Sequence, residues 1–257
     1  MLKNKKSLKN KKEIVEYGVD KFTEKCIERV DFFKNRQTEQ SKLMLQLGDW
    51  EQSYITNSDK NITSIWHFLK VCNEKKLLKQ SYKTMPWCPR CGTSLSEHEM
   101  TGSYKERTHK AVYVKAKLKD RNERILVWTT TPWTLAANMA IAINPEFNYC
   151  KCRVKSEDNL LIVCEKRIKV LRDDLIEVVE TVKGIDLVGL GYEPFLPLQK
   201  QQFDHKLVPW DQVDEIDGSG AVHIAPGCGA EDFALGTALN LQPIIIPVGE
   251  NGVFYDE

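Results

Sequence analysis

No apolar run in this chain approaches the roughly twenty residues needed to cross a bilayer, and no apolar core follows the basic start. From these absences neither a membrane-spanning helix nor a secretory signal is expected. The first residues are rich in lysine and asparagine and poor in arginine and serine, which does not fit a transit peptide. The expectation is a cytoplasmic protein without a membrane partner. Neither sign of charge dominates: the net charge is +1, so no global basic field announces nucleic acid, although a local RNA-binding face stays open. No glycine-rich phosphate loop of the Rossmann or P-loop kind is present. The eight cysteines are irregularly spaced in a chain that is not short, so they read as reduced, mostly core thiols and not as a disulfide framework.

What is present is ordinary for a soluble globular chain. It has 257 residues, 42% hydrophobic and 28% charged, enough for one domain with an appendage or two small domains. Lysine occupies six of the first twelve positions, so residues 1–12 read as a disordered basic tail, or alternatively as an arm touching phosphates. Residues 13–84 form a helical connecting segment. Val15, Val19, Phe22, Cys26, Val30 and Phe33 recur at helical spacing, and Gly48 stops the pattern. A second helix is expected from Asn61 to Leu78, with Ile62, Ile65, Trp66, Leu69, Val71, Cys72 and Leu77 on its buried side. Residues 85–100 contain Cys88-Pro89-Arg90-Cys91-Gly92, half of a zinc knuckle, with Cys88 and Cys91 as candidate ligands. A structural zinc site needs four ligands; His98 and Cys150 or Cys152 are conceivable additions, and a redox dithiol is a weaker alternative.

From residue 101 to 257 the period shifts towards two. Strands are expected at residues 111–118, 125–131, 140–143, 149–154, 160–164, 187–194, 222–225 and 244–248. A helix or its start is expected at 168–175 and a helix at 231–239. The fold class is therefore α+β: a β-barrel-like domain preceded by a helical segment and the zinc-knuckle half.

Two stretches carry the chemistry. Trp128-Thr129-Thr130-Thr131-Pro132-Trp133-Thr134-Leu135-Ala136-Ala137-Asn138 holds stiff hydroxyls between two apolar runs. By residue type alone this is either a grip for a sugar, phosphate or water, or a threonine-rich edge strand. The second stretch runs from Asp217 to Phe233, with Gly220, His223, Gly227 and Asp232 along it. His223 reads as a pocket residue or a satisfied core histidine, and Asp232 as an ammonium partner or a helix-terminal carboxylate.

Together the stretches resemble the editing domain of isoleucyl-tRNA synthetases. Thr131 stands where valyl and leucyl relatives carry arginine, and Ala136 where the family commonly has proline. The resemblance begins near residue 13, in Leu47-Gly48-x-Trp50, Tyr54-x-Thr56 and the tryptophan-bearing helix. It implies hydrolysis of the ester in tRNA(Ile) mischarged with valine. It implies Thr129, Thr130, Thr131, His223 and Asp232 as the catalytic set, and Trp128, Thr134, Asn138, Gly220 and Gly227 as substrate-binding positions. Editing needs no metal. In the family a second Cys-x-x-Cys beyond the editing domain completes the zinc site, and this chain has none, so zinc is implied here only as a half-site. The His-x-Gly-His and Lys-Met-Ser-Lys-Ser motifs of amino-acid activation are missing, so no ATP site is expected. The reading is an editing hydrolase whose domain is C-terminally incomplete, with the remainder of a synthetase as a possible partner. The alternative is a non-catalytic tRNA- or protein-binding remnant.

Overall fold

The computed structural model describes residues 8, 10–155, 158–196 and 204–255. Most of the expected basic tail, residues 1–7 and 9, lies outside them, while Lys11 and Lys12 open a helix. The chain divides into two compact units, Met1–Tyr82 with Arg90–Gly92, and Lys83–Pro89 with Thr93–Glu257.

The first unit consists of helices α1 (Lys11–Tyr17), α2 (Val19–Leu43) and α3 (Asp59–Glu74). Asn10 and Ser58 start α1 and α3 by accepting from the amides of Glu13 and Asn61, which would otherwise lack an intrahelical partner. Gly18 separates α1 from α2. None of the three helices has a buried residue. This corrects the expected buried side of the second helix: Ile62, Ile65 and Trp66 are exposed. Helical spacing identifies an apolar face but not what covers it.

The second unit starts with a hairpin, β1 (Trp87–Cys88) and β2 (Thr93–Ser94), then α4 (Glu97–Met100) with a complete Ser96/Glu99 capping box. Among the described residues an eight-stranded sheet follows: β3 (Val112–Lys117), β4 (Glu123–Thr129), β5 (Ala140–Ile143), β6 (Asn148–Val154), β7 (Leu160–Cys164), β8 (Leu175–Lys183), β9 (Lys206–Pro209) and β10 (Ala221–Ile224). Helix α5 (Ala230–Ala238) comes after β10.

β4 is the branch point of this sheet. One edge pairs antiparallel with β3 along its length. The other edge is shared: residues 123–125 pair parallel with β7, and Trp128 pairs parallel with Val222 of β10. The first branch continues through β6 to β8. The second continues through β5 to β9, and it returns on itself. Lys206 of β9 bridges Gly191, and the adjacent Tyr192 bridges Leu118, just beyond β3. Amide bonds from Leu207 to Leu190 O (2.9 Å) and from Lys119 to Gly191 O (2.8 Å) hold that seam. The result is a curled, barrel-like sheet.

Strand alternation fills this ring. Ile125 and Val127 of β4, Ile141 and Ile143 of β5 and Ala221 of β10 point inward with Leu118, Tyr149, Ile162, Tyr192 and Leu207. Residues of opposite parity, Leu126, Cys150, Cys152, Leu161 and Val163, form a second cluster packed by Ile168 and Val170. Cys150 and Cys152 are thus core thiols, and burial pushes the Cys152 thiol up to about 11.

Several expected elements differ. Residues 165–174 are 3-10 turns kinked at Arg172, and β8 starts at Leu175. The expected strand at 244–248 forms no ladder; Ile245 packs into a small cluster with Ala137, Met139 and Ala225. Residues 187–194 contribute only two bridged positions. In the threonine stretch the strand ends at Thr129, so Thr130 and Thr131 leave it.

Candidate active site

The Trp128–Val222 pairing places Thr129 beside His223 on the inner face of the ring, because side chains alternate in both strands. Both are buried, at 5% and 6% exposure. After Thr129 the chain turns, and a 3-10 helix over Pro132–Ala137 starts with proline in its first turn, where its fixed φ and missing N–H cost nothing.

That turn brings the hydroxyls together. Thr129 Oγ1 accepts from the Thr131 amide at 3.1 Å and lies 3.3 Å from Thr131 Oγ1. Thr131 Oγ1 lies 3.2 Å from Thr134 Oγ1. Thr134 Oγ1 donates to Thr131 O at 2.7 Å and meets His223 Nε2 at 3.0 Å. The Thr134 proton is already used, so His223 donates through Nε2–H. Its other nitrogen, Nδ1, then carries a lone pair, and among the described residues that atom is buried without a hydrogen-bond partner. Burial pushes the His223 pKa down to about 4, so the ring is neutral at pH 7.

Asp232 sits in the first turn of α5, where the helix dipole favours a carboxylate. Its Oδ2 accepts from the Ala225 amide at 2.8 Å, two residues beyond His223. The other carboxylate oxygen has no hydrogen-bond partner among the described residues. Burial raises the carboxyl pKa, and the Ala225 amide opposes the shift. A continuous run of contacts and chain therefore links Thr129, Thr131, Thr134, His223 and Asp232.

Other singled-out positions fall elsewhere. Thr130 is exposed and outside the hydroxyl chain. Trp128 has the opposite parity to Thr129, and its ring lies against Gly218. Asn138 is 2% exposed; its Nδ2 donates to Ala140 O at 2.8 Å and its Oδ1 accepts from Tyr192 at 2.5 Å. Gly220 and Gly227 sit at close approaches, where an added Cβ would come within 2.2 Å of Cys164 Cβ and Ile245 O respectively. Sequence reasoning missed Tyr192 and His205, the polar pair behind Asn138; burial does not alternate around residue 192, so no strand pattern pointed to them.

The Cys-x-x-Cys does not build a metal centre by itself. Cys88 lies in β1 and Cys91 in the turn that follows. Among the described residues no group of three or more His, Cys, Asp or Glu is placed to hold an ion. Two thiols supply half the donors of a structural zinc site, so the described residues do not fit a complete one.

Two buried histidines set an acid sensitivity. His205, 3% exposed, is also pushed down to about 4, by burial first and the Lys119 charge second. Both take up protons in the unfolded chain from about pH 6.5 downward but in the folded one only near 4. Their stabilising contribution is therefore complete above 6.5 and is lost as pH falls to 4, by up to about 1.4 kcal/mol per pH unit for each histidine. Asp232, with its raised carboxyl, works in the opposite sense. Urea midpoints at pH 7 and pH 5 should show the loss, and His223→Gln should remove about half of it, leaving the His205 share; an unchanged slope would place His223 in water.

A family model for tRNA synthetases class I (I, L, M and V) matches residues 1–211. The isoleucine–tRNA ligase of Methanosarcina barkeri is 40% identical over 261 residues, covering 97% of this chain and 24% of the relative. That of Clostridium tetani is 36% identical over 257 residues, covering 99% and 24%. The chain spans about a quarter of the length of the curated relatives it matches. A solved structure titled as the CP1 portion of GlLeuRS has a TM-score of 0.44 at 16% identity, covering 51% of this chain and 60% of that one, a likeness that says nothing about the site. The chain belongs to the class I tRNA synthetase family of the isoleucyl, leucyl, methionyl and valyl group.

Proposed function

We propose that the barrel-like unit hydrolyses aminoacyl-tRNA esters, and that its substrate is tRNA(Ile) carrying valine. The observation that carries this reading is the 3.0 Å contact between His223 Nε2 and Thr134 Oγ1, which joins two separated sequence stretches and leaves Nδ1 as an unpartnered acceptor. Ester hydrolysis needs an oriented water and a fixed amino acid. The Asp232 oxygen that has no hydrogen-bond partner among the described residues pairs with the substrate ammonium, a charge-assisted bond that sets the register. Thr131 and Thr129 present oxygen lone pairs that hold water or a ribose hydroxyl by accepting its proton in a hydrogen bond. The water oxygen then bonds to the carbonyl carbon, the ester C–O bond breaks, and a water proton ends on the ribose oxygen. Neutral His223, with its low proton affinity, holds the Thr134 hydroxyl in place and does not store the proton. Holding reactants in this geometry is a large part of such catalysis.

Valine is the substrate because a pocket selecting isoleucine discriminates poorly against an amino acid one methylene smaller. That difference is worth about 1–3 kcal/mol, and isoleucine against valine is the long-standing illustration of the limit, not a quantity obtained from this protein. The relatives' name, isoleucine–tRNA ligase, supports the same choice. The exposed apolar faces of α2 and α3 favour a covering partner, which we assign to the remainder of a synthetase.

Incubation of the purified chain with Val-tRNA(Ile) should release valine. Thr131→Val, which breaks the hydroxyl chain in the middle, should slow release by roughly 5- to 150-fold, since a hydrogen bond contributes about 0.5–1.5 kcal/mol and two are lost. Thr130→Ala should change it by less than about twofold, because surface changes away from a site seldom exceed ~0.5 kcal/mol. Binding without release by the wild-type chain would favour the non-catalytic reading instead.

A further inference from the structure

Three buried polar side chains lie behind the threonine turn, at the seam where the ring of strands closes. Asn138 ends the turn, and its amide N–H donates to Leu135 O at 3.1 Å. Its side-chain Nδ2 donates to Ala140 O, which makes Oδ1 the acceptor from Tyr192 Oη–H at 2.5 Å. Tyr192 is fully buried, and its hydroxyl also lies 3.2 Å from His205 Nδ1. The tyrosine proton is used on Asn138, so the histidine donates. A directed chain results, from His205 Nδ1–H to Tyr192 Oη–H to Asn138 Oδ1, ending at Ala140 O. It fixes the asparagine amide in one orientation and thereby the end of the turn that carries Thr131 and Thr134.

We propose that Tyr192, backed by His205, is a positioning residue for the hydrolytic site, acting through Asn138 on residues 131–138. This rests on the hydrolase reading above. Its physical basis is the sensitivity of oriented catalysis to displacement: a shift of about 1 Å in a positioning group can cost on the order of a hundredfold in rate. Tyr192 lies within the seam itself, bridged to Leu118 and bonded through its amide to His205 O at 3.0 Å. The closure of the ring and the aim of the threonine turn thus meet in one side chain.

The test compares the full chain with Tyr192→Phe, Asn138→Ala and the double variant, reading valine release from Val-tRNA(Ile) together with thermal unfolding. Tyr192→Phe keeps the ring against Phe195 and His205 and removes only the hydroxyl. The expected result is a kcat lower by roughly tenfold with KM within about twofold, and no further loss when Tyr192→Phe is added to Asn138→Ala. A Tyr192→Phe chain that melts lower but turns over normally overturns the proposal, as does a loss that simply adds to that of Asn138→Ala. A wild-type chain that releases no valine removes the hydrolase reading and this inference with it, whereas an active wild type matched by Tyr192→Phe removes this inference alone.

Discussion

Asp232→Asn should remove most of the valine release while leaving the fold in place. The amide oxygen of asparagine can still accept from the Ala225 amide, as the carboxylate does at 2.8 Å, so the turn between β10 and α5 keeps its clamp. What disappears is the negative charge of the carboxylate. Removing one member of a buried, hydrogen-bonded charge pair costs about 2–5 kcal/mol, or roughly thirtyfold and upward in kcat/KM. On the proposed reading the loss belongs to the bound ammonium, so an ester of the same tRNA whose amino group is acetylated should show little difference between the wild-type and Asn chains. Asp232→Ala is the less informative variant, because it also leaves the Ala225 amide without its acceptor. A wild-type rate in Asp232→Asn would return the carboxylate to the bland role of a helix-terminal charge.

The strands around the site were legible because their neighbours are one-sided. β4, β5, β6, β7 and β10 alternate between two apolar clusters or run wholly buried, and these patterns survive in the sequence. β8 was not legible: Ile176, Val178 and Val179 are all exposed on an edge strand, so no face of Leu175–Lys183 is distinguished by burial. β9 is four residues ending in proline, too short to register. Ile244–Val248 misled in the opposite direction. Its composition is that of a strand, but it packs as irregular chain, with the carbonyl of Ile245 against Gly227. The helices of the first unit and α5 were legible as helices, whereas the short α4 was not, and the apolar faces of α2 and α3 gave no sign of standing uncovered.

The candidate residues stood out by type and order, but the geometry that sorts them was not readable. A row of three threonines looks uniform in sequence. Ending the strand at Thr129 sends Thr130 into solvent and folds Thr131 back onto its neighbour, so the row becomes two inward hydroxyls and one outward. Thr134 joins them only because the 3-10 turn shortens the path. The tautomer of His223 depends on a backbone carbonyl as acceptor for Thr134, which no residue pattern encodes.

Gly220→Ala should be among the most destabilising single substitutions in the barrel-like unit. A methyl group there would stand 2.2 Å from Cys164 Cβ and 3.4 Å from its Cα, so no side-chain rotation can relieve it. Residue 220 also has φ +77, which an alanine tolerates poorly. The carbonyl of Gly220 accepts from Tyr149 at 2.6 Å, and the preceding Ser219 O accepts from the Cys164 amide at 3.0 Å, so the segment is held from both sides. To admit the methyl, β10 must draw away from β7. The expected loss is about 4 kcal/mol or more, the exceptional end of single substitutions, which for a unit of this size lowers Tm by roughly 8–16 °C. Gly189→Ala separates the two causes, since residue 189 has φ +86 but open space around it, and only the backbone strain of about 1–2 kcal/mol should register. If both variants melt together, the approach to Cys164 is not what holds β10. If Gly220→Ala falls well below, its residual folded fraction should also hydrolyse slowly, because β10 carries His223 with it and the contact to Thr134 depends on the pairing of Val222 with Trp128.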